Sequence, residues 1–196
     1  MACGALGLSL QRVAARGHWP VDVHPLTPLL HNRPERIASA VEAALHRLRP
    51  CYARLVVAYA DCGTRGALDD VCARLGVPRL VGAHCYDVLA SAELVGALLA
   101  AEPGTYLLTD FMVATFGSTV LTGLGLDRYP QLRDDYFRHY RRAVWLAQRP
   151  TPALETAARD AASAMGLPLE RLDVGEEGLE RQVAAALRAR RPRSGM

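Results

Sequence analysis

The chain changes period again and again, and this constrains its fold more than any other feature. Short apolar runs occur at "PVDVHPL" (20–26), "RLVVAYA" (54–60), "PRLVG" (78–82), "TYLLTD" (105–110), "RAVWLAQ" (142–148) and "LERLDVG" (169–175). Between them lie longer stretches with apolar residues every three or four positions, such as "LGLSLQRVAARG" (6–17) and "PALETAARDAASAMG" (152–166). The first pattern suits buried strands and the second amphipathic helices. Runs such as "LVVAYA" and "AVWLA" are apolar without alternation, as expected when both faces of a strand are covered. The expectation is a single α/β domain over residues 1–190. It has five or six mainly parallel strands with helices on both faces, Rossmann-like in layout. "YDVLASAELVGALLAAEPG" (86–104) reads as a helix with an internal break, and "RARRPRSGM" ends in a short basic tail over 191–196. The glycines of "GLGLD" (123–127) follow no strand and lack the full dinucleotide fingerprint.

Composition narrows the chemistry. All 23 basic residues are arginine, so Schiff-base, Walker and catalytic lysines are excluded. A net charge of +3 without aromatic–basic interleaving does not point to nucleic acid. No apolar stretch reaches the roughly 18 residues a membrane helix needs, and no leader pattern opens the chain. Five cysteines, an odd count at low density, fit a reduced cytoplasmic setting better than a disulfide scaffold.

Three of those cysteines share a position. Cys3 in "ACGAL", Cys62 in "DCGT" and Cys85 in "GAHCYD" each stand where a strand gives way to a helix. In open parallel sheets such exits converge, and ligands bind there. A helix start lowers a neighbouring thiol's pKa and favours the thiolate that binds metals. Three thiolates can hold zinc with one further ligand, or three irons of a cubane cluster with the fourth iron open to substrate. The competing readings are small buried hydrophobes and redox thiols. The shared exit placement favours one metal site. Cys51 and Cys72 read as packing.

The other candidates lie at the same kind of junction. His84 adjoins Cys85 and is a metal-ligand candidate. His31, in "LLHNRPE", is the acid–base candidate or the fourth ligand, with Asn32 and Arg33 beside it as cofactor-binding candidates. Asp61 and Asp110 end strands, where a carboxylate can orient a ligand or move a proton. The alternative for both is helix capping.

The segments "ACGAL", "LHNRPE", "YADCGTRGALD", "GAHCYD", "YLLTDF" and "GLGLDRYPQLRDDYFRHYRR", in that order, resemble the bacterial and archaeal family catalogued as domain of unknown function 1638. The resemblance covers nearly the whole chain, except that the strand usually found before "CGAL" is missing. The family pattern includes Cys3, His31, Asp61, Cys62, His84, Cys85 and Asp110. The resemblance implies an association with corrinoid proteins and corrinoid-dependent methyltransferases, and hence with one-carbon metabolism. Two functions follow as expectations. The first is an enzyme or accessory factor with a three-cysteine zinc or iron–sulfur centre acting on a small polar molecule. The second is a non-catalytic binding or chaperone module for a metal, a corrinoid or a methyltransferase partner.

Overall fold

The computed structural model describes residues 1–189, so the expected basic tail at 191–196 lies outside the described residues. In chain order the helices and strands are α1 (Gly7–Arg16), α2 (Ile37–Leu48), α3 (Ala67–Leu75), α4 (Cys85–Ala90), α5 (Ala92–Ala101), β1 (Thr105–Thr109) and α6 (Asp110–Phe116). They continue with α7 (Arg133–Phe137), β2 (Arg142–Ala147), α8 (Pro152–Met165), β3 (Leu169–Asp173) and α9 (Glu177–Arg188). The fold is α/β with parallel pairing, as the alternation predicts. It divides into two compact units, Met1–Val88 with the chain from Glu176 onward, and Leu89–Gly175. Among the described residues, no helix is long and apolar enough to cross a membrane.

In the first unit, four extended segments lie side by side around Pro25, Ala2, Val57–Ala58 and Arg79, joined in that order by isolated parallel bridges. Ala2 is an inner member. Its N–H donates to His24 C=O at 2.8 Å, and Leu26 N–H donates to Ala2 C=O at 2.9 Å. On its other side Cys3 N–H donates to Ala58 C=O at 3.0 Å. Three of the expected strands, at 20–26, 54–60 and 78–82, are therefore reduced to bridges. Pro78 carries no N–H to extend the pairing ahead of Val57, whereas Pro25 stands in an edge segment, where its missing donor costs no pairing with Ala2. Because all pairings are parallel, the segments end on the same side. The loops that follow them, at 3–6, 26–34, 61–66 and 82–87, share that side.

Helices α1 and α9 complete this unit. Leu10, Val13 and Ala14 are buried on α1, as are Leu179, Val183 and Ala186 on α9, each set at helical spacing. Glu176, 6% exposed, accepts from Arg12 Nε at 2.9 Å and from Arg16 Nη1 at 3.2 Å. This pairing satisfies a carboxylate that would be costly to bury alone.

The second unit is regular. β1, β2 and β3 form a parallel sheet in sequence order, with Leu107 opposite Val144 and Ala143 opposite Leu169. Leu108, Ala143, Trp145 and Ala147 pack with Val113 and Phe116 of α6 and with Ala158, Ala161 and Ala162 of α8. Small alanines on α8 let the helix lie close to the sheet. Val144 and Leu146, which alternate with that set, are also buried, and this accounts for the continuous apolar run of β2. α8 carries the signals its sequence predicts. The Thr151 hydroxyl accepts from Leu154 N–H, Pro152 takes the first turn, and Gly166 ends the helix at φ +74°. The break expected within residues 86–104 falls at Ser91, whose φ is +75° and whose hydroxyl caps α5.

Candidate functional site

The shared side of the first unit gathers most of the sequence candidates. Cys3 follows the Ala2 bridge and is 1% exposed. Its sulfur lies 3.6 Å from His31 Nε2. His31 sits in the 3₁₀ turn Pro28–Asn32, and its Nδ1 lies 3.0 Å from Pro28 C=O. A carbonyl can only accept, so Nδ1 carries the proton and the Nε2 lone pair faces the sulfur. Such backbone anchoring of one imidazole nitrogen is the usual way a histidine is set to offer the other to a metal. His31 also contacts the Cys62 thiol. That contact chiefly raises its pKa, against the lowering effect of burial.

Local geometry explains how the loops come together. Gly4 has no side chain because the turn after Cys3 runs against the next segment, where a Cβ would collide with the Leu26 carbonyl and the Pro28 ring. Cys62 adopts the left-handed conformation at φ +51°, followed by Gly63 at +85°. A Cβ on Gly63 would stand 3.3 Å from Pro34, so this loop closes onto the 3₁₀ turn that follows the one carrying His31. Cys62 N–H donates to Ala83 C=O at 2.7 Å, which ties the loop to the one that leads into Cys85.

Burial sets the electrostatics. It raises the pKa of Cys3 against the lowering pull of the Ala5 and Leu6 amides. It raises Cys85 strongly too, with further upward contributions from charge at Cys62 and Cys3 and opposition from the Cys85 and Tyr86 amides. The amides at the helix starts act in the expected direction, but desolvation outweighs them, so these two thiols are neutral rather than ready thiolates. Tyr59 is buried among the sulfurs. Its pKa is raised by burial first and then by charge at Cys3 and Cys62. Its hydroxyl adjoins Cys3 but forms no hydrogen bond of ordinary geometry. Sequence reading overlooked Tyr59, which looked like one more residue of an apolar strand.

The remaining candidates separate. His84 is exposed, with its ring 6.3 Å from that of Tyr86. Asn32 and Arg33 are exposed on the turn after His31. The Asp61 carboxylate organises its own loop, accepting from Thr64 Oγ1 at 2.5 Å, Arg65 N–H at 3.2 Å and Gly66 N–H at 3.1 Å. These bonds, the Thr64 one first, lower its pKa. Asp110 belongs to the second unit. It accepts from Trp145 Nε1 at 2.9 Å, Gln148 N–H at 3.1 Å and Arg149 N–H at 2.8 Å, and so locks the exit of β2 to that of β1. Cys72, 6% exposed in α3, is the packing residue its sequence suggests, with burial pushing its pKa up to about 11. Cys51 is exposed on the turn after α2, contrary to its reading as a buried residue, because the chain leaves the core at Leu48 before the next segment begins.

Among the described residues, no three His, Cys, Asp or Glu side chains already stand around one point as metal ligands do. The donors nonetheless suit a soft metal in type: three sulfurs, one oriented imidazole and an unsatisfied buried hydroxyl beside them. A cavity of about 510 Å³ lies elsewhere in this unit, lined by residues 19–24 and 52–56 together with Met1, Leu10 and Val183. None of the three candidate cysteines lines it.

The family described as "Protein of unknown function (DUF1638)" matches residues 26–183, and the chain belongs to it. The matched span holds His31, Asp61, Cys62, His84, Cys85 and Asp110 and begins after Cys3. No curated protein and no solved structure matches the chain.

Proposed function

We propose that this member of the family binds a thiophilic metal, zinc or the irons of an iron–sulfur cluster, through Cys3, Cys62 and Cys85, with His31 rather than His84 as the fourth donor. The observation that carries the reading is the Cys3–His31 pair. Zinc–sulfur bonds of about 2.3 Å and zinc–nitrogen bonds of about 2.0 Å at a tetrahedral angle separate the two ligands by about 3.5 Å. The observed separation is 3.6 Å, with the imidazole lone pair facing the sulfur. The same distance also suits a thiol-to-imidazole hydrogen bond, which is what the pair makes while the thiol is protonated. When bound, the metal supplies a Lewis acid for a small polar ligand. Asp61 holds the Cys62 loop in shape, and Asn32 and Arg33 stand exposed on the turn after His31. The association with corrinoid methyltransferases that the family resemblance implies supports a role for this centre in one-carbon metabolism.

A second reading is favoured by the neutral thiols and by the absence of a closed ligand set among the described residues. A site that must give up protons to load suits a module that takes up and passes on a metal or serves a corrinoid partner. Metal analysis and absorption spectroscopy on protein made anaerobically in iron- and zinc-replete cells test the metal itself. Near-stoichiometric zinc, or iron with sulfide, is expected. Cys62→Ser should lose most of it with the fold intact, and Cys72→Ser should lose none. Wild-type protein without metal, or Cys62→Ser with a full complement, would overturn the proposal.

A further inference from the structure

The cavity of about 510 Å³ in the first unit has apolar walls, Leu10 of α1, Leu187 of α9 and Trp19 among them, and one polar corner. Asp22, His24 and Tyr52 form that corner, hydrogen-bonded in a row. The Tyr52 hydroxyl donates to Asp22 Oδ2 at 2.8 Å, and His24 Nε2 lies 2.7 Å from the same hydroxyl oxygen. A carboxylate can only accept, so the one phenol proton goes to Asp22. His24 Nε2 must then carry a proton and donate to the tyrosine oxygen, which leaves Nδ1 of the neutral ring as an acceptor. The backbone holds this histidine in place, since its C=O accepts from Ala2 N–H at 2.8 Å. The Tyr52 ring meets the imidazole edge-on, with centroids 5.2 Å apart. Asp22 is exposed while His24 and Tyr52 are half-buried, so the row runs inward from the rim.

We infer that this cavity binds a small neutral molecule of mostly apolar surface that carries a hydroxyl, a phenol or another alcohol, whose O–H donates to His24 Nδ1. The volume suits a compact organic molecule, and sites for such molecules pair apolar walls with a few converging polar groups. The row of hydrogen bonds sets which imidazole nitrogen accepts, so the polar corner is specific for a donor. The cations of the lining are turned to carbonyls. The Met1 ammonium donates to Val56 C=O at 3.1 Å, and the Arg54 guanidinium to Ala189 C=O at 2.8 Å. A hydroxyl therefore finds a ready partner, whereas an acid would meet an imidazole lone pair and the Asp22 carboxylate. His24 is the contact to the ligand, and Asp22 and Tyr52 are positioning residues. None of Cys3, His31, Cys62 and Cys85 lines the cavity, so the inference stands or falls apart from the metal reading.

The test titrates the protein with 2-naphthol and, separately, with 2-naphthoate, followed by calorimetry and by the imidazole nitrogen NMR signals of His24. Saturable one-to-one binding of 2-naphthol is expected, with the Nδ1 signal moving as the site fills. The carboxylate analogue should bind about tenfold more weakly. His24→Leu should weaken 2-naphthol by about tenfold, the upper range for one lost hydrogen bond. Tyr52→Phe keeps the ring but frees Nε2 from its partner, and should weaken 2-naphthol by about threefold. It should also change the His24 nitrogen signals before any ligand is added, which a residue that only fills space would not do. Wild-type protein that does not bind 2-naphthol, or binds 2-naphthoate as tightly, would overturn the inference. So would affinity unchanged in both variants. Binding of an extended peptide of alternating valine and threonine, with none of 2-naphthol, would assign the gap to a strand and overturn it as well.

Discussion

Each unit places an aspartate at the end of a parallel segment, and the two exits are finished differently. At the end of β1, Asp110 takes an indole and two backbone donors, and the polar groups around it are paired. In the first unit Asp61 also satisfies its neighbours, but the residues beyond it do not close up in the same way. Cys3 and Cys85 are held protonated by burial, and the Tyr59 hydroxyl has no partner. The second unit is complete as packed. The first carries a desolvation cost that its own contacts do not offset, and that is the more informative sign of a ligand.

The largest effect is expected where polar groups are fully paired. Asp110→Ala strips three donors, one of them the indole of a Trp145 that is 1% exposed. It should cost roughly 3 kcal/mol in urea denaturation, as buried donors left unpaired do. A loss below about 1 kcal/mol would mean that Asp110 is not the clamp its contacts suggest. Next, Gly4→Ala pushes Leu26 and Pro28 away from the turn after Cys3. A cost of about 2 kcal/mol is expected from overpacking, and the NMR signals of His31 should shift with it. An unchanged His31 spectrum would break the link between Gly4 and the site.

The smallest effect concerns Asp61, whose side chain is half-buried and whose pKa is lowered by its hydrogen bonds, that to Thr64 first. Its contribution is full above the unfolded value of about 3.9 and is lost as pH falls through the folded value. The stability difference between wild type and Asp61→Asn should therefore shrink in acid. A difference that holds steady below about pH 3 would show that the loop does not depend on the charge.

The alternation of elements, the capped α8, the break at Ser91 and the packing of Cys72 are all readable along the chain. Each depends on neighbours within a turn or two, where propensity and hydrophobic period act. The sequence also puts Cys3, Cys62 and Cys85 at segment ends, because apolar runs and following glycines are local signals. Tertiary structure decided the rest. The first unit's strands shrink to isolated bridges, although their apolar pattern is strand-like. His31 faces Cys3 across 28 positions, while His84, one residue from Cys85, points to solvent. Asp110 finds its donors 35 to 39 residues away. The Tyr59 side chain is distinguished only by what surrounds its oxygen. Such partners are chosen by loop closure and by the need to satisfy or desolvate each buried polar atom. Those are properties of the assembled unit, and no stretch of sequence carries them.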